Sequence, residues 1–337
     1  MRTTLLSILI LWTVLGTASA QEPGGSPAPA GKEDQGPPIR VLVEEVNVQV
    51  TVSDNRNHLV TDLNRDDFQI LEEKKPQPIT AFSRETDVPL RIGLLIDTSN
   101  SIRDRFEFEQ RASADFLRAL LRPGRDKAFL ASFDSIPELV LDFTDDLDKL
   151  VPAIQSLRPG GGTSLYDAVY SGARDKLLEE APPSGNFRRS LVVVSDGEDN
   201  QSRHSRLQAL EMAQRAEVTI YTISTNLRGL QMPGDRTLRE FADETGGRYF
   251  QPLNKEDLAS AFQQINADLR SQYSLSYRPS TPRDGRYHQI EIIAQGKGLR
   301  VRSRRGYYAT HPLGALPPES SPAPDTQKMG KPKSSGK

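Results

Sequence analysis

The chain carries, from residue 91, the stretch Arg91-Ile92-Gly93-Leu94-Leu95-Ile96-Asp97-Thr98-Ser99-Asn100-Ser101, in which an apolar run ends in an aspartate and then two serines at alternate positions. Such a run, bounded by polar turn residues, is typical of a strand buried on both faces of a parallel sheet. A helical pattern follows, so we expect Asp97, Ser99 and Ser101 on the loop at the carboxyl end of that strand, where open α/β sheets bind ligands. Their oxygens are hard ligands that suit Mg²⁺ better than Zn²⁺ or copper. Taken alone, the pattern fits ordinary turn and N-cap residues equally well.

Two later segments favour the metal-site interpretation. One is a glycine-rich loop that places a hydroxyl before a helical pattern, Gly160-Gly161-Gly162-Thr163-Ser164-Leu165. The other is a second buried-strand pattern that ends in aspartate and glycine, Leu191-Val192-Val193-Val194-Ser195-Asp196-Gly197. Three loops therefore supply the candidate metal ligands, which are Asp97, Ser99, Ser101, Thr163 and Asp196.

In kind and in order, these five residues resemble the metal-ion-dependent adhesion site of von Willebrand factor A domains, with its D-x-S-x-S motif, later threonine and later aspartate. The resemblance to the domain itself covers roughly Pro89 to Leu269. It implies a Rossmann-like α/β fold, and the alternation of strand and helix patterns independently favours a mostly parallel sheet with helices on both faces. Helical patterns cover Arg105–Leu121, Asp145–Leu157, Ser164–Leu178, Arg206–Ala216 and Asp257–Leu269.

Both flanks of this region have strand character. Alternating patterns precede it and follow it, and Pro282-Arg283-Asp284-Gly285 has the composition of a hairpin turn. These patterns therefore predict a single small β-sandwich with the α/β domain inserted between its halves. The alternative is two separate groups of strands that each pack against the central domain. The late residues Tyr273, Leu275, Tyr277, Arg305, Gly306, Tyr307 and Tyr308 are similar to a bacterial exported group described only as von Willebrand factor A-related, which has no defined biochemical role.

The ends of the chain predict export. Residues 1–20 have the charged start, apolar stretch and Ala18-Ser19-Ala20 site of a secretory signal peptide, with an uncleaved N-terminal anchor as the alternative. We expect a periplasmic or secreted protein, and no later stretch is long and apolar enough to span a membrane. The sequence has no cysteine, which excludes disulfides, thiolate metal sites and a lipoprotein anchor. The predicted organisation is signal peptide 1–20, disordered linker 21–38, N-terminal β segment 39–88, A domain 89–270, C-terminal β segment 271–309 and disordered tail 310–337.

The ligand types decide what the site is expected to do. Serine and threonine oxygens are neutral, and the resemblance implies that Asp97 and Asp196 bind through water, so no anionic protein oxygen would touch the metal. A Mg²⁺ ion held this way stays electrophilic and is expected to take a Glu or Asp from a partner protein, with Mn²⁺ or Ca²⁺ able to substitute. The rim that meets the partner would include Asn100, Ser164 and Glu198.

We therefore predict an exported, metal-dependent protein-binding module of the adhesion type. The alternative is a structural or scaffold component of an envelope assembly, in which the ion only stabilises loops. We expect no enzymatic activity, because the chain has no G-x-S-x-G elbow, P-loop or thiol. His204 could be weighed as a catalytic base, but it is better explained as a solvent-exposed residue at a helix start. Asp134, Glu198 and Asp199 could also act as bases, but acidic loop residues usually raise the local negative potential or cap helices. The net charge of −2 gives no reason to expect nucleic acid binding.

One further hypothesis concerns the last predicted helix, Asp257–Leu269, which runs almost directly into the strand pattern Gln272–Tyr277. The resemblance implies that binding of an acidic ligand can displace this helix. Such a short connection has little slack, so a displacement would reach the β segments. The alternative is a rigid helix that ties the two parts together. Sequence alone leaves the partner, the ion and the oligomeric state open.

Overall fold

The computed structural model describes residues 45–84, 88–100, 106–180, 187–226, 231–280 and 284–309. The predicted signal peptide, linker and tail lie outside the described residues, and so does Ser101. In the part of the chain that is described, no helix combines the length and the apolar character needed to cross a bilayer.

A six-stranded sheet forms the centre of the structure, with the order β10-β9-β8-β5-β6-β7. All neighbouring pairs are parallel except β6 with β7, which is antiparallel and lies at one edge. Leu94 and Val192, near the middles of the two central strands, are fully buried, as expected where helices cover both faces. The strands are β5 Leu90–Asp97, β6 Lys127–Phe133, β7 Pro137–Thr144, β8 Arg188–Ser195, β9 Thr219–Ser224 and β10 Tyr249–Phe250.

Helices cover the two faces of this sheet. Alternate residues of β5 separate the two cores: Leu94 and Ile96 pack in the cluster that contains Phe116 and Ile265, whereas Leu95 packs in the other cluster. The prediction of a mostly parallel sheet with helices on both faces is confirmed. The helices are α1 Phe106–Leu120, α2 Leu147–Ser156, α3 Leu165–Ser171, α4 Arg206–Arg215, α5 Pro233–Thr245 and α6 Lys255–Arg270, and α3 continues as a π-helix over Gly172–Leu178.

Helix α5 has no counterpart among the predicted helices. Its signals were present, since Pro233 occupies the first turn and Gly246 ends the helix in the left-handed conformation, with φ 82°. Its buried stripe is short, however, with Leu238, Phe241 and Ala242 surrounded by charged residues. The segment is amphipathic, but few large apolar residues mark its buried face among many charged ones, which is why sequence reasoning does not identify the helix.

The two flanks build two four-stranded antiparallel sheets, β13-β1-β11-β4 and β14-β12-β2-β3. Each sheet contains strands from before and after the central domain, and side chains from both flanks, such as Val48, Ile70, Leu275 and Ile290, pack in one cluster. The strands are β1 Val46–Ser53, β2 Phe68–Glu72, β3 Lys75–Gln77, β4 Ile79–Ser83, β11 Tyr273–Tyr277, β12 Tyr287–Ala294, β13 Arg300–Arg302 and β14 Gly306–Tyr308.

The predicted hairpin around Pro282–Gly285 is wrong. Strand β11 pairs with β1 and β4, whereas β12 pairs with β2 and β14, so the strands on either side of this turn belong to different sheets. Turn composition indicates where a strand ends but not which strand it then pairs with. A hairpin does join β2 to β3, where Glu73 and Lys74 both have positive φ (48° and 63°) although neither is glycine.

Candidate metal centre

The predicted site residues lie on loops at one edge of the central sheet. Strands β5 and β8 are parallel neighbours that end at Asp97 and Ser195, so the loops that follow them begin side by side. We call these loop 1 (residues 97–100) and loop 3 (195–202), and loop 2 is 160–164. Backbone hydrogen bonds join the three: Gly160 N donates to Thr98 O at 2.6 Å, and Asn200 N donates to Thr163 O at 3.0 Å.

Asp97 is fixed between loops 1 and 3. Its side chain is fully buried; Oδ1 accepts a hydrogen bond from Ser99 N at 2.8 Å, and Oδ2 accepts one from Ser195 Oγ at 2.6 Å. Burial raises the pKa of Asp97 to about 6, although these hydrogen bonds oppose the rise. The carboxylate therefore has a defined orientation in a dry environment.

The other described candidates are positioned by their own loops. Ser99 and Thr163 are buried, with 2% and 4% of their surface exposed. The backbone of Thr163 is held by Asn200, whose Oδ1 accepts from Thr163 N at 3.0 Å. Asp196 is half-buried, and its Oδ1 accepts from Glu198 N at 3.1 Å. The structure thus brings Asp97, Ser99, Thr163 and Asp196 to adjoining loops.

Two glycines allow helix α5 to approach loop 3. Gly197 has φ +81°, and a Cβ built on it would lie 2.2 Å from Gly234 O; a Cβ built on Gly234 would lie 2.2 Å from Asp196 O. Real Cβ atoms do not come that close, so any larger residue at either position would push the helix away from the loop. The backbone beside Asp196 therefore depends on a residue that is 38 positions later in the chain.

The three residues assigned to the rim differ in exposure. Asn100 and Glu198 are exposed, and Asn100 Nδ2 donates to Gly161 O at 3.2 Å, which ties the rim of loop 1 to loop 2. Ser164 is fully buried, so it does not belong to the exposed rim. Its Oγ atom has no hydrogen-bond partner among the described residues, which leaves an unsatisfied oxygen beside Thr163.

The residues weighed as catalytic bases have structural contacts instead. Asp199 Oδ2 accepts hydrogen bonds from Tyr166 N at 2.9 Å and from Ser202 Oγ at 2.6 Å, which fixes loop 3 to the start of α3. His204 is half-buried rather than solvent-exposed: its ring stacks on Tyr170 at 3.8 Å between centroids, and its Nδ1 lies 2.7 Å from Asp167 Oδ1.

Sequence reasoning missed the residues that orient the candidate ligands. Ser195 stands next to Asp196 in the sequence, but nothing there indicates that its hydroxyl reaches Asp97, which is 98 positions earlier. Asn200 and Gly234 were likewise not identified. These contacts join distant parts of the chain, so no local pattern signals them.

The donor set fits a hard divalent cation. The described candidates provide two carboxylates and two hydroxyls, and Ser164 adds an oxygen with no other partner in this part of the chain. In the described residues, the candidate site included, no group of three or more His, Asp or Glu side chains is arranged to hold a metal ion, so a site here depends on hydroxyl ligands. Hard oxygen ligands of this kind suit Mg²⁺.

Comparison with known proteins identifies the central domain. Residues 92–198, which contain loops 1 and 2 and the first half of loop 3, match the model of the von Willebrand factor type A domain. Domains of this family are in general metal-binding modules that mediate protein–protein interactions. No relative was found among curated proteins.

Similar solved structures share little sequence with the chain. An aerotolerance-related membrane protein from Bacteroides fragilis is 20% identical, with 53% of this chain and 98% of that one covered and a TM-score of 0.45. A von Willebrand factor type A protein from Catenulispora acidiphila is 12% identical, with 69% and 74% covered and a TM-score of 0.47. Proximal thread matrix protein 1 from the mussel byssus, solved with a zinc-occupied MIDAS motif, is 14% identical, with 60% and 50% covered and a TM-score of 0.48. Through residues 92–198, the chain contains a von Willebrand factor type A domain.

Proposed function

We propose that the protein is an exported, metal-dependent binding module that captures a Glu or Asp side chain of a partner protein. Its metal site would consist of Asp97, Ser99, Ser101, Thr163 and Asp196 around Mg²⁺. The observation that carries the proposal is the position of Asp97, which is buried and held through both carboxylate oxygens at the junction of loops 1 and 3. A carboxylate fixed in this way orients a cation without being free to neutralise it fully.

The ion would supply the electrophile, and the chain would orient it. Hydroxyl ligands do not cancel the charge of the metal, so the ion would retain attraction for an anion from outside. Asn100 and Glu198, which are exposed, would contact the partner around that anion. Binding of this kind needs no catalytic base, and we propose that the protein is not an enzyme.

One set of contacts supports the binding role over the scaffold alternative. Hydrogen bonds within the chain already join the three loops, such as those between Gly160 and Thr98 and between Asn200 and Thr163. Loops held in this way do not require an ion for their stiffness. A cation placed there is therefore better explained by capture of a ligand than by support of the loops.

Titration calorimetry tests the metal site. We expect the wild-type chain to bind Mg²⁺, and Mn²⁺ or Ca²⁺ in competition, whereas Asp97→Asn should lose most of this affinity while its thermal unfolding stays cooperative. Asp243→Asn, at an exposed position of α5, is the matched control and should bind like the wild type. Equal Mg²⁺ binding by Asp97→Asn would contradict the assignment, and a preference for Zn²⁺ would contradict the choice of ion.

Partner capture tests the second half of the proposal. In a pull-down from the exported fraction, retention of a protein in Mg²⁺ and its release by EDTA is the expected result. Thr163→Ala should weaken capture more than metal binding, because a less complete set of ligands positions the ion poorly. Retention that is equal with and without metal would favour the scaffold alternative.

A further inference from the structure

A second, unrelated site lies at the other end of the central sheet. There a partly open cavity of about 240 Å³ lies between the first residues of β8 and β9 and the sandwich strand β1. Arg188 begins β8 and lines this cavity, whereas Ser195 ends the same strand at the candidate metal site. An extended strand of this length places the two sites roughly 23 Å apart.

Positive charge dominates the lining. Among the described lining residues, Arg188, Arg189 and Arg304 are basic and Glu217 is the one carboxylate. Arg304 is only 9% exposed, and it donates to Asn47 O at 2.6 Å and to Glu217 Oε1 at 3.3 Å. Guanidinium groups removed from water are costly unless anions or hydrogen bonds compensate them.

Three lining side chains have a buried polar atom that makes no hydrogen bond to any described residue. They are the Nε atoms of Arg189 and Arg304, which are donors, and the Oε1 atom of Gln49, which is an acceptor. Buried polar atoms are normally satisfied by protein, water or ligand. A ligand in this cavity that reached these atoms would offer oxygen acceptors to two guanidiniums and one hydrogen to an amide oxygen.

We propose that this cavity binds a small oxyanion that also carries a hydroxyl hydrogen, which is the chemistry shared by hydrogen phosphate and hydroxycarboxylates. A cavity of this volume suits a small ligand. Arg189 belongs to the central sheet, whereas Gln49 and Arg304 belong to the sandwich segments. The anion would therefore join the two parts of the molecule, and ligand sites occur preferentially at such interfaces.

Thermal unfolding of the full chain in EDTA tests the site, because the candidate metal centre then holds no ion that could bind an anion. Phosphate and malate are compared with succinate, which lacks a hydroxyl, and with chloride at equal ionic strength. We expect a saturable rise in Tm with phosphate or malate, and whichever acts at lower concentration identifies the source of the oxyanion. A response no larger than that to chloride means that the cavity holds water only, and it overturns the proposal.

Two cavity variants and one control test whether the rise in Tm comes from this cavity. Arg189→Gln removes one donor and should raise the concentration needed for half the Tm shift roughly tenfold. Arg236→Gln, which removes the same charge from an exposed position of α5, should leave it unchanged. Gln49→Glu places a carboxylate in the cavity and should abolish the response even if Arg189→Gln does not fold. An unaltered response in Gln49→Glu would overturn the proposal.

Discussion

The hydroxyl of Ser195 connects two of the loops through a single side chain. It donates to Asp97 Oδ2 at 2.6 Å and accepts from Gly197 N at 3.0 Å, and it is fully buried. Ser195 thus fixes the rotamer of a candidate ligand in loop 1 and the backbone that carries Asp196 in loop 3. It is a positioning residue, since it orients the groups that would surround the metal.

Ser195→Ala is expected to weaken Mg²⁺ binding about 10- to 100-fold, as loss of a hydrogen bond to a metal ligand usually does. Titration calorimetry measures the change. Ser190→Ala is the matched control, because Ser190 is also buried in β8 but lies at the opposite end of the strand. If the two variants bind Mg²⁺ equally, the orientation of Asp97 does not depend on Ser195.

At the scale of elements, the carboxyl end of α6 is held from three sides. Arg270 contacts Asp126 in the turn before β6, Arg302 of β13 donates to Asp268 Oδ2 at 2.7 Å, and Arg188 of β8 donates to Leu269 O at 2.9 Å. These contacts favour the rigid-helix alternative over transmission of ligand binding through α6. Hydrogen exchange that changes in α6 on addition of Mg²⁺ and a partner would favour transmission instead.

Asp126 is the most connected of these anchors. Its side chain is fully buried and accepts hydrogen bonds from Leu90 N at 2.9 Å, from Arg122 N at 2.9 Å and from Arg270. Burial alone would raise the pKa of Asp126, but the hydrogen bonds from Arg270, Leu90 and Arg122 outweigh it and hold the pKa below the ordinary aspartate value. The charged form is therefore the one that the fold stabilises.

Asp126→Asn should lower the free energy of unfolding by about 3 kcal/mol, because it leaves buried donors without their anion. A carboxylate whose pKa is lower in the folded state contributes stability above its unfolded pKa of about 3.9 and loses it as the pH falls further. In denaturant titrations, the difference in free energy of unfolding between the variant and the wild type should therefore become smaller below about pH 4. Asp115→Asn, at an exposed ion pair with Arg118, should change stability by less than about 1 kcal/mol; equal effects would contradict the role of Asp126.

At the scale of the whole molecule, the sandwich depends on both ends of the described chain. Strand β1 pairs with β11 and β13, and β2 pairs with β12, so neither flank has a complete sheet without the other. The central domain is inserted between the two halves and connects to them through β4 and α6. Loss of one half exposes the apolar side chains of the other.

Truncation after residue 270 should therefore unfold the N-terminal flank while the central domain keeps its own cores. Limited proteolysis is expected to cleave within residues 45–84 of this variant at least tenfold faster than in the full chain. Truncation after residue 309 keeps every strand of the sandwich, ends at the buried Ala309, and should leave the cleavage rate unchanged. A protected N-terminal flank in the shorter variant would show that the flanks fold separately.

The local pattern of the sequence determined the central sheet and the places where its loops begin. An apolar run such as Ile92–Ile96 is removed from water only when both faces of its strand are covered. The polar residue that ends each run marks the carboxyl end of the strand. The candidate ligands Asp97 and Asp196 could therefore be assigned to one end of the sheet, and the match over residues 92–198 agrees with that order. The amphipathic stripes of α1 and α6 were recognisable for the same reason, because periodicity depends on neighbours in the chain.

Only the tertiary structure decided which distant groups meet. The contacts of Ser195 with Asp97 and of Gly197 with Gly234, and the arginine-lined cavity, each join segments that are far apart in sequence. The pairing of β11 with β1, rather than with β12, was also decided at this level. The alternation of apolar and polar residues indicates which face of a strand is buried. The strand with which it pairs depends on the path of the chain and on the packing of the completed core.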